Sequence, residues 1–230
     1  MTGTAKDPCV RRAKRSRVAV ALAISAAVLL AGGCALTSDP IRTYQLAAVV
    51  PAGAGSSAGE QSRAVPLVLL VGRPRAAGPL DTDRIAIAPG GSRFDYYADV
   101  RWAQTAPQML QQTLVAALTA DGHFEAVLAA PAHIPAELLL DVELRRFEAV
   151  VPGAGSAPVA HVQVQANLVD SRRAERVSSF LSEASAPASE NRMSAVVDAF
   201  NAATAQVVQD VVQRVRDAQV TAAVPPFQKP

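Results

Sequence analysis

Cysteine is scarce in this 230-residue sequence, which has only Cys9 and Cys34. Because both lie within the first 34 residues, the rest of the chain cannot form an internal disulfide, even in an oxidising compartment. Its stability must come from a hydrophobic core instead. The 197 residues that follow residue 33 are enough for one domain with loose ends.

Signature motifs of common enzymes and cofactor sites are also missing. The sequence has no Gly-x-Ser-x-Gly elbow, no Walker loop, no dinucleotide-binding glycine fingerprint and no His-Glu-x-x-His zinc motif. Its three histidines, His123, His133 and His161, stand apart with no second ligand at helical or turn spacing. We therefore expect neither a metal site nor a cofactor, and we expect surface or turn positions for the histidines.

Carboxylate pairs are the one pattern that could support acid–base chemistry. Asp81 with Asp83, and Asp141 with Glu143, share a face if they lie on strands. Like-charged pairs at strand ends are more often solvated, and we favour that interpretation. The sequence therefore predicts no catalytic residue and a protein that is not an enzyme.

Basic residues are few outside the N-terminal region. Residues 1–33 hold six of the 22 basic residues and one of the 20 acidic ones, so removing them leaves 16 basic and 19 acidic residues and changes the net charge from +2 to −3. No cluster of Lys and Arg with interleaved aromatic residues remains to follow a phosphate backbone. Without residues 1–33, the chain is therefore not expected to bind nucleic acid.

The N-terminal region has the layout of a bacterial signal peptide. Six cations lie between residues 6 and 17, and an uncharged apolar run follows over residues 18–30. This run has 13 residues, whereas a membrane-spanning helix needs about 20. The small residues Ala31, Gly32 and Gly33 then precede Cys34, as in a lipobox. The pattern predicts cleavage before Cys34 and lipidation of its thiol.

Fatty chains on Cys34 would anchor the protein firmly, because each buried methylene contributes about 0.8 kcal/mol. Ala35 stands where an aspartate would retain a lipoprotein at the inner membrane, so we expect an outer-membrane lipoprotein that faces the periplasm. The lipobox departs from the usual pattern at Ala31, where leucine is common. The alternative interpretation makes residues 18–30 a buried core helix and Cys34 an ordinary small apolar residue.

Alternating apolar residues and bounding Pro, Gly or Asp predict eight strands in the mature chain. They cover residues 43–47, 65–71, 84–88, 92–97, 125–128, 137–147, 159–169 and 177–183. The third and fourth are expected to form a hairpin across Pro89, Gly90 and Gly91. Before the second strand, residues 51–59 have the small-residue composition of a mobile linker.

Two helices are expected. The first begins near Thr105, because Thr105 and Gln108 fit a capping box and Pro107 suits the first turn, and Gly122 ends it. The second covers residues 189–218, where apolar residues form a continuous helical stripe. This stripe is expected to lie on the sheet, although a seam between copies of the chain is left open.

Together these elements predict an α+β fold in which two principal helices pack on one side of a mainly antiparallel sheet. The expected organisation has four parts: a signal peptide over residues 1–33, a lipidated start with a short strand and linker over 34–64, a folded domain over 65–218, and a loose tail over 219–230.

An unusual cluster, Phe-Asp-Tyr-Tyr-Ala-Asp-Val-Arg-Trp, occupies residues 94–102. It holds Tyr96 and Tyr97, two of the three tyrosines, and Trp102, the only tryptophan. It is either a core anchor or a recognition surface. The core-anchor interpretation is favoured, with Arg101 paired to Asp95 or Asp99.

The same cluster resembles a known family, the ABC-type transport auxiliary lipoproteins, which are PqiC-like. The motifs occur in the family's order after the lipidated cysteine, from about residue 34 to residue 214. They are Tyr44-Gln45-Leu46, an apolar strand at residues 67–71, Leu80-Asp81-Thr82-Asp83-Arg84-Ile85, Tyr96-Tyr97, Arg101-Trp102, Pro107, a stretch at residues 140–147 and the closing helix.

The resemblance implies a non-enzymatic periplasmic component of an MCE-type lipid transport system. Its partners would be an MCE-domain protein and an ABC permease with its ATPase, and Tyr96, Tyr97, Arg101 and Trp102 would support or form the docking surface. The main alternative is an outer-membrane lipoprotein that scaffolds or activates a cell-wall synthase or a secretion complex.

Overall fold

A computed structural model describes residues 40–47, 64–89, 93–153 and 155–223, with side chains described as far as residue 218. The chain divides into a unit of residues 1–40 and a unit of residues 41–230, and all the elements below belong to the second. The predicted signal peptide, Cys34, the predicted linker at 51–59, Gly90 and Gly91 of the predicted hairpin turn, and residues 224–230 of the predicted tail lie outside the described residues.

The described residues form nine strands and two helices, and neither helix is long and apolar enough to cross a membrane. In chain order they are β1 (Arg42–Tyr44), β2 (Val65–Val71), β3 (Arg75–Ala76), β4 (Arg84–Ala88), β5 (Asp95–Trp102), α1 (Ala106–Asp121), β6 (Phe124–Ala129), β7 (Leu138–Val150), β8 (Val159–Asp170), β9 (Glu175–Pro187) and α2 (Met193–Ala223).

The long strand β7 organises a single nine-stranded sheet. One edge of β7 pairs with β8 along its whole length, and β9 continues the sheet on that side. The other edge of β7 pairs in succession with β2, β3 and β4. Outside β2 lies β6, and outside β4 lie β5 and then β1.

The sheet is mixed but mostly antiparallel, as predicted. The longest pairings, β7 with β8 and β8 with β9, are antiparallel, and so is the predicted hairpin of β4 and β5. The pairs that involve β1, β2 and β3, together with β4 with β7, are parallel. Parallel neighbours need long crossover connections, which here carry the chain through α1 between β2 and β6.

Both helices follow the local signals in the sequence. In α1, the Gln108 side chain accepts a hydrogen bond from the backbone N–H of Thr105 at 3.3 Å, and Gly122 ends the helix in a left-handed conformation with φ of 69°. The α2 stripe is buried against β8 and β9. As far as its side chains are described, the apolar face of α2 therefore packs on the core, as expected.

Element ends differ from the predictions by a few residues. The fourth predicted strand begins later, at Asp95, and continues to Trp102, while the last helix starts at Met193 rather than residue 189. Strand ends were misplaced mainly where neighbouring strands extend the pairing, as at β9, which runs from Glu175 to Pro187 because β8 pairs with it throughout. The predicted alternation of apolar residues along this part of the sheet is confirmed, since Leu138, Leu140, Val142 and Leu144 are all buried.

Candidate functional site

Strand β5 is distorted where the unusual cluster lies. Ala86 of β4 pairs with Tyr96, and Arg84 pairs with Arg101, so four residues of β5 lie opposite the single residue Ile85. Extra residues on one strand form a bulge, which bends the strand and redirects its side chains. Asp99 within the bulge has φ of 56°, a left-handed conformation that is uncommon for residues other than glycine.

Trp102, at the end of β5, is buried in the core, with only 2% of its surface exposed. Its ring lies 5.7 Å from that of Phe147 on β7 and 5.3 Å from that of Phe200 on α2. This aromatic contact joins the sheet to the long helix. Trp102 therefore anchors the core and can support a neighbouring surface but cannot form one.

Arg101 lies at the surface and pairs with a residue that the sequence did not indicate. Its guanidinium donates to the carboxylate of Asp83 at 3.0 and 3.3 Å. The expected pairing with Asp95 or Asp99 is wrong, because Asp95 is held by Arg93 and by the backbone N–H of Tyr96. The hydrogen bond from Tyr96, followed by that from Arg93, holds the pKa of Asp95 below its usual value.

The two tyrosines occupy different environments. The Tyr96 hydroxyl donates to the carbonyl of Pro79 at 2.9 Å, and the guanidinium of Arg84 lies 4.0 Å from the centre of the Tyr96 ring, a cation–π arrangement. The Tyr97 hydroxyl is buried with no hydrogen-bond partner, and burial raises the pKa of this phenol. Both tyrosines are thus half-buried, but only the Tyr96 hydroxyl is held by a hydrogen bond.

A cavity of about 270 Å³ opens beside the bulge, and we refer to it as the β5 cavity. Ile41, Arg84, Tyr97, Ala98, Asp99, Val100 and Arg101 line it. The structure therefore brings Tyr97 and Arg101 to one concave surface, with Tyr96 beside them under Arg84 and Trp102 below in the core. Sequence reasoning missed Ile41, and it noted Arg84 only as part of a family motif, since neither belongs to the cluster.

The predicted carboxylate pairs are engaged with arginines. Asp81 pairs with Arg73 and Asp83 with Arg101, while Asp141 pairs with Arg75 and Glu143 with Arg145, at distances from 2.9 to 3.7 Å. Carboxylates held in this way serve as ion-pair partners, in line with the interpretation that they are solvated surface groups.

The histidines do not lie together at a site. Burial lowers the pKa of His123. Burial is also the main cause of the lowered pKa of His161, and the neighbouring Arg146 lowers that pKa further. His133 lies exposed in the connection between β6 and β7. Within the described residues no three His, Cys, Asp or Glu side chains are grouped as metal ligands.

Comparisons with known proteins agree on the family and the fold. The family model described as ABC-type transport auxiliary lipoprotein component matches residues 44–212. Among solved structures, protein XCC0632 of Xanthomonas campestris, from the DUF330 family, is 26% identical with a TM-score of 0.67, over 79% of this chain and 97% of that one. An uncharacterized protein is 14% identical with a TM-score of 0.57, over 77% and 99% of the two chains. A search of curated proteins gave no match.

Proposed function

Because this chain belongs to the family of ABC-type transport auxiliary lipoprotein components, we propose that it is a non-enzymatic docking subunit of an MCE-type lipid transport system. It would connect an MCE-domain protein and an ABC permease with its ATPase to the membrane that holds its anchor. The observation that carries this proposal is the family match over residues 44–212, which extends from the last residue of β1 into α2 and includes strands β2 to β9.

The anchor in this proposal is lipid on Cys34, with the folded domain in the periplasm and the lipid in the outer membrane. The covalent lipid would be the only non-protein group that the chain needs. A domain tethered in this way meets its partners at a high effective concentration, so even a modest docking affinity is sufficient.

The docking surface is proposed to be the one that surrounds the β5 cavity. Tyr96 and Arg101 would contact the partner, Tyr97 would support them from the cavity wall, and Trp102 would hold β5 in place from the core. Their contacts support this role: Tyr96 and Arg101 are held at the surface by Pro79 and Asp83, so they are pre-ordered for binding.

The test is gentle extraction of the full-length lipoprotein from its native membrane, followed by mass spectrometry of the proteins that accompany it. MCE and ABC permease subunits are expected with the wild type. The variant Arg101→Glu reverses a surface charge without disturbing the core, and we expect it to reduce their recovery by about tenfold, as for loss of a charged contact.

Arg192→Glu is the matched control, because Arg192 is an exposed arginine that pairs with Glu190 far along the sequence from β5. It should leave recovery unchanged. Recovery of cell-wall synthases or a secretion complex in place of transporter subunits would contradict the transport function. Equal losses in the two variants would remove the β5 surface from the proposal but leave the function standing.

A further inference from the structure

The β5 cavity brings two like charges together at paired positions of the sheet. Arg84 and Arg101 are direct partners in the antiparallel register of β4 and β5, so their side chains leave the sheet on the same face. Like charges placed directly opposite each other destabilise a sheet. The Asp83 carboxylate compensates Arg101 but makes no bond to Arg84.

Arg84 is exposed, and it is the member of this pair that has no ion-pair partner among the described residues. Its guanidinium lies over the Tyr96 ring, and within the described residues no carboxylate lies at ion-pair distance from it. The nearby Asp95, which bonds to Arg93, attracts it only from a longer distance. A guanidinium has five N–H donors in a planar fork that suits a carboxylate. A carboxylate placed between Arg84 and Arg101 would accept hydrogen bonds from both guanidinium groups and reduce the repulsion between them.

The size and composition of the cavity favour a side chain over a free ion or a whole ligand. Sites for small molecules usually have volumes of about 300–1,000 Å³, whereas this one has about 270 Å³. Asp99 also lines it, so the lining residues have a net charge of only +1, and Asp83 beside the cavity compensates Arg101. A small free anion, which would have no further contacts, is therefore disfavoured. Ile41, which is 56% exposed, offers an apolar contact for the stem of an entering side chain.

From this arrangement we infer that the β5 cavity receives an acidic side chain, Asp or Glu, of the partner protein, with its carboxylate between Arg84 and Arg101. The inference rests on the proposed docking function and names the chemistry of the contact. The bond from Arg84 would be charge-assisted and therefore shorter and stronger than a neutral hydrogen bond. Asp99 would repel the entering carboxylate. Only a partner that also makes contacts outside the cavity would therefore bind.

The inference can be tested in cells with the full-length protein by placing a benzophenone amino acid in place of Ile41, at the cavity. Cross-linked peptides are then identified by mass spectrometry in the background of three further variants. Arg84→Gln removes the cation that has no ion-pair partner among the described residues, Asp99→Asn removes the opposing charge, and Arg192→Gln is the control. Asparagine tolerates the left-handed conformation of residue 99, so the bulge should persist.

We expect adducts with a partner peptide that contains Asp or Glu. Their yield should fall by about tenfold in Arg84→Gln and rise by about two- to fivefold in Asp99→Asn, with no change in Arg192→Gln. Benzophenone in place of Ile134, another exposed residue that does not line the cavity, should not give the same adducts.

Several outcomes would overturn the inference. An adduct with a phospholipid would assign the cavity to a headgroup phosphate instead. An adduct yield that is unchanged in Arg84→Gln and Asp99→Asn would show that no carboxylate binds there. The same holds if no adduct forms while transporter subunits still co-extract. Acidic peptides from a cell-wall synthase would instead support the carboxylate contact and refute the transport function, so the two failures are distinguishable.

Discussion

Trp102 lies at the point where β5, β7 and α2 meet, and its contacts explain why its side chain cannot form part of a surface. The Phe147 and Phe200 rings surround it, with centroids 5.3 to 5.7 Å from its own, and it is almost fully buried. Removing the indole would leave a cavity between sheet and helix that these rigid rings cannot fill.

We therefore expect Trp102→Ala to lower the free energy of unfolding by about 3–5 kcal/mol. Urea unfolding followed by circular dichroism would measure this loss. Ile134→Ala is the control, since Ile134 is 60% exposed and its loss should cost less than about 0.5 kcal/mol. Similar stability in the two variants would mean that the aromatic cluster is not a core anchor. Because this variant is expected to be unstable, a loss of docking in Trp102→Ala would not show that Trp102 contacts the partner.

The site residues show which contacts a sequence can indicate. A core anchor within the cluster at residues 94–102 was predicted, in agreement with the burial of Trp102, because aromatic residues before a capped helix are a local signal. The partner of Arg101 was not, because Asp83 reaches it only through the bulged register of β4 and β5. A bulge of this length depends on the fit of β5 between β1 and β4, which no local pattern encodes.

At the scale of the elements, the end of α1 depends on a single glycine. Gly122 adopts φ of 69°, and its N–H donates to the Thr119 carbonyl at 3.2 Å. No atom lies within 4 Å of where a Cβ would be placed, so a larger residue would meet backbone strain but no steric clash. This separates the conformational cost from packing.

Gly122→Ala should therefore reduce stability by about 1–2 kcal/mol, the cost of a left-handed alanine, as measured by urea unfolding. Gly122→Asn should lose less, because asparagine tolerates this conformation. Gly78→Ala serves as control, since Gly78 also has open space around it but no positive φ. An equal loss at both glycines would argue that the left-handed conformation is not what limits residue 122.

The elements also show where prediction from sequence works. Strands β2 and β4 and the α1 caps were predicted at their observed positions, because alternation and capping are written in neighbouring residues. The parallel pairing of β7 with β2, β3 and β4 was not predicted. It brings together residues from 60 to 70 positions apart, such as Leu69 with Leu138 and Ala86 with Glu148, and the periodicity of each strand leaves its neighbours open.

At the scale of the whole molecule, Glu137 joins three distant segments of the sheet. Its carboxylate accepts the backbone N–H of Val68 on β2 at 2.8 Å and a bond from Arg172 in the β8–β9 turn at 2.6 Å, while its own carbonyl accepts the N–H of Ser171. The bonds from Val68 and Arg172 stabilise the ionised carboxylate, and the bond from Val68 is the main cause of its lowered pKa.

A carboxyl whose pKa is lower in the folded state than in the unfolded state adds stability at pH values above its unfolded pKa, which for glutamate is about 4.3. That contribution is lost as the pH falls through the lower, folded pKa. We therefore expect Glu137→Gln to be less stable than the wild type at neutral pH, and the difference to shrink steadily as the pH is lowered below about 5.

Urea unfolding of the two proteins across the acid range would measure this convergence. Glu190→Gln is the matched control, because Glu190 is an exposed carboxylate that pairs with Arg192 at the surface. If the difference in stability between Glu137→Gln and the wild type stays constant with pH, the amide destabilises the fold for steric reasons. The charge of Glu137 would then make no contribution to stability. Convergence would instead show that one ionised side chain helps to hold β2, β7 and the β8–β9 turn in register, a long-range link that the sequence pattern did not contain.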